Sequence, residues 1–274
     1  MARRDYVRLL DVEPRLGAGL SASGRPEARR LVVAPVMTLA DGQWDAAELT
    51  RILGDCAPFG CMVAGGLIAH ELELAGRAAT YLLGRGDIVA PGVTTGGDLP
   101  LHRLFCVADP VRLALLDKTF LAVTQRWPSI AGALLLQVVR QSERVAVHQL
   151  ISQFPRADDR ILALLWHLAD RWGRPEPAGI VVPLAMGHEA IARLVGGRRP
   201  TVSSALGRLA DRNVVSRLAN GTWLLEPESR SLLDGSGPLG PAPDVRLLGP
   251  QDCDEDPADP VEPGELGACF ALSG

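Results

Sequence analysis

The strongest constraint on this chain lies late in its sequence, at residues 188–211. Ile191, Leu194 and Val195 share one face of a short amphipathic helix, and Gly196-Gly197 follows directly. Glycine reaches the positive φ that a tight helix–helix turn needs. A second helix is expected from Arg199 to about Arg212, with Val202, Leu206 and Leu209 on its inner face at steps of four and three. That phase turns Arg199, Ser203 and Ser204 outward near the helix N-terminus, with Arg208 a turn further on. Two β-prone runs, 214–218 and 222–225, then flank Asn220-Gly221. Asn-Gly between such runs is the strongest short hairpin signal.

Helix, glycine turn, helix and hairpin in that order make a winged helix-turn-helix. The outward face combines arginines with hydroxyls. Arginine suits guanine O6/N7, and hydroxyls and helix N-terminal amides suit phosphate. The expected DNA-binding residues are Arg198, Arg199, Pro200, Thr201, Ser203, Ser204, Arg208 and Asn220. Arg199 is expected at a base edge, and Arg198, Thr201 and Ser203 at phosphates. A small α+β domain with a solvated arginine face, or a helix and wing that bind protein, are the alternatives.

Charge is distributed in keeping with this. The net charge is −4 overall, yet residues 1–155 carry +1, residues 156–230 carry +3 and residues 231–274 carry −8. An acidic tail therefore masks a mildly basic module. The tail holds seven Pro and seven Gly, a composition that cannot offset its chain entropy, so disorder is expected there. Lys118 is the only lysine, a bias expected of a GC-rich bacterial genome. The five cysteines, Cys56, Cys61, Cys106, Cys253 and Cys269, form no CxxC pair and read as small buried hydrophobes in a reducing cytoplasm. No apolar run approaches the ~18 residues needed to span a bilayer. The charged N-terminus lacks a secretory apolar region. Membrane and secreted classes are set aside.

Upstream, residues 59–116 form short apolar segments broken by glycines about every ten residues, the pattern of a β-barrel or sandwich. Residues 1–55 give no clear pattern. Pro128 suits a first helical turn, and the helix behind it is expected to run to about residue 154. Its first half is apolar on more than one face, which predicts packing on the barrel on one side and on a partner helix on the other. Leu134, Leu135, Val138 and Val139 are the expected homodimer contacts.

The segment from Ile191 to Leu209 resembles the recognition segment of the Crp/Fnr superfamily of bacterial transcription factors. The resemblance extends more weakly to Leu82-Leu-Gly-Arg-Gly-Asp-Ile, similar to that family's barrel turn, and to Ala108-Asp-Pro-Val-Arg-Leu-Ala-Leu-Leu-Asp, similar to the strand before its long helix. It implies an α+β chain. An N-terminal β-roll (double-stranded β-helix) sensor would occupy 1–127, a dimerisation helix 128–154, a winged helix-turn-helix 155–230 and the tail 231–274. Double-stranded DNA and a second copy of the chain are the implied partners. RNA polymerase and a small-molecule effector of open identity are the further candidates.

Departures from the family pattern bear on the effector. Cyclic-nucleotide binders carry Gly-Glu and, further on, an Arg beside a small residue, for ribose and phosphate. Here residues 87–103 contain Pro91 and Pro100 but no Gly-Glu, and Arg103 lacks the small partner. No cofactor is expected, cyclic nucleotide included. A haem ligand could only be a lone His70, His102 or His148, and Gly187 stands where the family's usual helix-capping Thr or Ser would be. No enzymatic activity is expected. The enzyme alternative, a cupin-like metal site, would have to begin from His70-Glu71.

Overall fold

The computed structural model describes residues 5–92 and 99–233. The expected tail lies outside the described residues except for 231–233, which belong to a 3-10 turn, Pro227–Leu233. The N-terminal stretch without a clear pattern forms β1 (Tyr6–Arg8), α1 (Leu9–Val12), α2 (Gly24–Leu31), β2 (Val33–Leu39), β3 (Gly42–Asp45) and α3 (Ala46–Leu53). The glycine-punctuated strands follow: β4 (Cys61–Gly65), β5 (Leu67–Leu74), β6 (Arg77–Gly84), β7 (Ile88–Val89), β8 (His102–Val107) and β9 (Val111–Leu115). Then come α4 (Lys118–Thr124), α5 (Pro128–Ser152) and α6 (Ala157–Trp172). Asp45 and Asp117 start α3 and α4 by accepting backbone N–H bonds from Ala47 and Phe120, each at 2.7 Å.

The strands pair antiparallel into two sheets, ordered β1-β2-β9-β4-β7 and β3-β8-β5-β6. Their inner faces share one core: Val63 and Leu113 from the first sheet meet Ile68, Leu83, Phe105 and Val107 from the second, with Leu49 and Leu53 of α3. This is the β-roll. Alternation along β4 sends Cys61 and Val63 inward, while Met62 and Ala64 join a second core under α1, α2 and α4. Buried on both faces, β4 reads as an unbroken apolar run. Gly66 turns the chain at φ +93°, where a Cβ would lie 2.8 Å from Val111 Cγ2.

α5 turns one row inward: Ile130, Leu134, Gln137, Gln141, Arg144, His148 and Ile151, at steps of four and three, the first members on the N-terminal part and Ile151 in the core of the last part of the chain. The polar members grip the turn between β6 and β7. Gln137 donates to the Gly86 carbonyl at 3.0 Å, and Gln141 both accepts from Ile88 N–H and donates to its carbonyl at 2.9 Å. Asp87, fully buried, accepts from Gly84 N–H at 2.8 Å, from Arg144 of α5 at 2.5 Å and from Arg171 of α6 at 2.5 Å. Trp172, under the Arg171 guanidinium, packs so closely on Gly84 that a Cβ there would approach it to 2.8 Å.

The opposite side of α5 is apolar and exposed: Leu135, Leu136, Val138, Val139, Val147 and Leu150 are 45–66% accessible. Leu134 departs from the sequence expectation. It falls in the inner row and packs against the N-terminal core, because it lies one turn from Ile130 on the same face.

Inside the roll, His70 of β5 stacks on Phe105 (centroids 4.4 Å apart), and its Nδ1 meets the Tyr81 hydroxyl at 2.5 Å. Its Nε2 is buried without a partner. Glu71, the next residue, points to the other face, as neighbours on a strand must, and pairs with Arg193 at 2.8 Å. His70-Glu71 therefore cannot converge on one metal. Among the described residues no three His, Cys, Asp or Glu come together. No helix of those residues is long and apolar enough to cross a membrane.

Burial, aided by Arg103, pushes His70 down to about 4. The folded state holds this histidine neutral while the unfolded chain takes up a proton below about 6.5. Its contribution is therefore complete above that pH and is lost as pH falls towards 4. Urea unfolding at pH 7.5 and 5.0 should differ by about 2 kcal/mol more in the wild type than in His70→Phe. An equal difference in both proteins would remove His70 from the account.

Candidate nucleic-acid interface

The last part of the chain packs α6 against β10 (Arg174–Glu176), β11 (Gly179–Val182), α7 (His188–Leu194), α8 (Arg199–Asp211), β12 (Val215–Arg217) and β13 (Trp223–Leu225). Ile161, Leu164, Leu165 and Leu168 of α6 share a core with Ile191, Leu194, Val202, Leu206, Leu209 and Trp223. The apolar positions expected on α7 and α8 are the buried ones. The strands form a small sheet ordered β10-β11-β13-β12.

The turn between α7 and α8 is closed by two backbone bonds. Gly196 N–H donates to Arg193 carbonyl at 3.3 Å, and Gly197 N–H to Ala192 carbonyl at 2.8 Å. This is a Schellman C-cap, with Gly196 at φ +61°. Gly187 precedes α7 with no side-chain cap.

α8 starts without a side-chain cap either, and Pro200 occupies its first turn. Arg198, Arg199, Pro200, Thr201 and Ser204 are exposed together around that turn. No acidic residue lies in it, so the positive end of the helix dipole stands uncapped by any side chain beside two arginines.

Four of the expected residues, Ser203, Ser204, Arg208 and Asn220, already have partners. Ser204 returns its hydroxyl to the Pro200 carbonyl at 3.1 Å. Ser203, half-buried, shares a 2.8 Å bond with His188 Nδ1 of α7. Arg208 forms a two-pronged pair with Asp158 of α6, at 3.0 and 2.5 Å. That bond holds Asp158 below the usual carboxylate range and raises Arg208. Arg208 is thus a brace between α8 and α6. The sequence carried one sign of this, an acid in the first turn of α6, but no local spacing ties it to a residue fifty positions on.

The hairpin forms where the Asn-Gly signal placed it, with Val215, Ser216 and Arg217 opposite Leu225, Leu224 and Trp223. Only Gly221 takes a positive φ, +82°, so the loop is the three-residue type and not a two-residue turn. Asn220 Oδ1 accepts from Thr222 N–H and hydroxyl, at 3.1 and 2.6 Å, which ties it to the loop's own structure at the wing tip. Arg217, which sequence reasoning missed, is exposed on β12 with its guanidinium 5.8 Å from the Trp223 ring.

Residues 159–229 match the family model of the Crp-like helix-turn-helix domain. The regulatory protein CysR of Synechococcus elongatus is 26% identical over 147 residues, covering 53% of this chain and 69% of CysR. Among solved structures, a CooA variant from Carboxydothermus hydrogenoformans superposes with a TM-score of 0.57 at 18% identity, over 84% of this chain and 98% of that one. FixK2 from Bradyrhizobium japonicum gives 0.54 at 18% identity, over 75% and 99%. The fold is that of these regulators. This chain is a DNA-binding transcription regulator of the Crp/Fnr type.

Proposed function

We propose that the chain acts as a homodimer in which α8 enters the major groove of double-stranded DNA and α5 forms the two-fold seam. One observation carries the DNA assignment to particular residues: in the first turn of α8, Arg198, Arg199 and Thr201 are exposed, and among the described residues no ion pair holds the two arginines. Arg199 reads a base edge, and Arg198 and Thr201 hold phosphate. Ser203 and Arg208 serve as supports for the helix. The seam is supported by the outer row of α5, which is apolar for most of its length. A C2 partner would lay the same row against it.

The effector is a molecule other than a cyclic nucleotide. The acid nearest the expected cassette position, Asp87, is engaged by Arg144 and Arg171, and Arg103 donates to the Pro91 carbonyl at 2.5 Å. A cytoplasmic location follows from the DNA-binding role.

On a cognate half-site, Arg199→Ala should cost ~1–3 kcal/mol and relax discrimination at one base pair, whereas Arg208→Ala should cost under ~0.5 kcal/mol. Fluorescence anisotropy on cognate and random duplexes checks this. Equal losses on both duplexes for Arg199→Ala would make it a phosphate contact.

Sedimentation at micromolar concentration should show a dimer whose recognition helices match half-sites ~34 Å apart. The pair Leu135→Glu and Val138→Glu should give a folded monomer, since both positions face outward. A monomeric wild type would sink the seam. Calorimetry with cAMP or cGMP should detect no binding tighter than about millimolar. A micromolar constant would refute the effector reading.

A further inference from the structure

The contact between the winged helix and the roll is rich in cations. Leu82 of β6 packs against the winged-helix core, and Arg193 of α7 reaches Glu71 of β5. His148 of α5 meets the Leu194 carbonyl of α7 through Nε2 at 2.8 Å. As the carbonyl can only accept, Nε2 carries the proton. Where β6, α5, α6 and α7 meet there is a cavity of about 30 Å³, lined by Tyr81, Gln141, Arg144, His148, His167 and Arg171 among others.

His167 of α6 has no hydrogen-bond partner among the described residues, and its ring lies 6.2 Å from that of His148. The groups around it are Arg144 and His148 from α5, Arg171 and Asp170 from its own helix, and Tyr81 from β6. Beyond the arginines lies Asp87, the carboxylate they share. On the α7 side the wall is Leu194, and the charged pair there, Arg193–Glu71, is already neutral as a pair.

We propose that this junction is a proton-sensitive latch in which His167 is the sensor. Protonating it sets a further cation against two arginines that already share one carboxylate, and the winged helix is released from β6. The latch would govern where α8 lies relative to the α5 face. It holds whether or not Arg199 reads a base.

The direction and window follow from the surroundings. Burial, with repulsion from His148, Arg144 and Arg171 and only Asp170 opposing, pushes His167 down to about 4. His148 is lowered by burial as well, though the Leu194 and Thr80 carbonyls favour its charged form, which makes it the weaker sensor. In the released state His167 regains an ordinary value near 6.5. Release therefore takes up a proton, and docking is complete above that pH and weakens as pH falls. Between pH 7.5 and 6.0 the docking equilibrium should shift about fourfold through His167 alone.

Amide exchange on the full chain reads this directly, with rates corrected for their intrinsic pH dependence. Protection in α7 and β6 should fall about fourfold from pH 7.5 to 6.0, while β4 and β9 in the roll core keep theirs. His167→Gln, which cannot be protonated, should match wild type at pH 7.5 and lose most of the fall. Asp87→Asn should loosen α7 and β6 at both pH values. Should His167→Gln fail to fold, the imidazole C–H titration of the wild type decides. A His167 midpoint well below the ordinary range supports the latch. An ordinary midpoint, unchanged protection, or a fall undiminished in His167→Gln overturns it.

Discussion

Asp87 has no solvent access, yet it binds a backbone amide of its own turn and one arginine from each of two different helices. Removing charges from water costs several kcal/mol per ion, and that cost is offset only when the remaining lone pairs are satisfied. Here all three partners are in place. The carboxylate does not add much net stability by this reckoning, since an apolar replacement of the whole cluster could pack as well. What it provides is specificity. A buried acid with two arginines from α5 and α6 tolerates one arrangement of roll, long helix and winged helix, and any slip leaves an uncompensated charge.

The same interaction explains the odd construction of α5. A surface helix normally turns its apolar stripe inward. This one sends glutamines, an arginine and a histidine to the roll and leaves leucines and valines outside. The middle of the inner face is polar because it covers the turn Gly86–Ile88, whose backbone groups need partners once α5 excludes water from them. Gln137 and Gln141 supply those partners. Between its buried ends, Ile130 and Ile151, the middle of α5 therefore buries little apolar area inward, and its leucines and valines lie uncovered by the described residues. The inversion is a stronger argument for a seam than apolar content alone.

Much of this was legible in the sequence, for physical reasons that differ by element. The helix pair and wing were readable because each feature is local: apolar steps of four and three, glycines at a turn, Asn-Gly in a hairpin. The strands of the roll were readable from their punctuation. The two apolar faces of α5 are visible in the sequence, but not which residues fall on which, and Leu134 lies on the inner one. The phase of a helix between two apolar neighbours depends on its polar row, and Gln137, Gln141 and Arg144 only make sense once the turn at Asp87 is in place. The N-terminal stretch was opaque because its short elements are held by long-range packing, such as Leu9 and Ala28 under the first sheet. Contacts such as Asp158–Arg208 and His188–Ser203 were beyond any local pattern.

Those last two contacts change how the DNA face is understood. A recognition helix lined with long flexible side chains would lose much rotamer freedom on binding. On α8 two residues beyond the first exposed positions are fixed beforehand, Arg208 by a carboxylate of α6 and Ser203 by a histidine of α7. These bonds tie α8 to both of its neighbours and set its orientation before DNA arrives. The unfixed arginines are confined to the first turn, next to the free amides, where one helix turn carries both the charge and the donors that a groove requires. The outward residues, equivalent in sequence, thus divide into supports held by their neighbours and a short exposed edge, which is the reading edge of the proposed function. The latter is the part whose position the proposed latch at the Asp87 junction would govern.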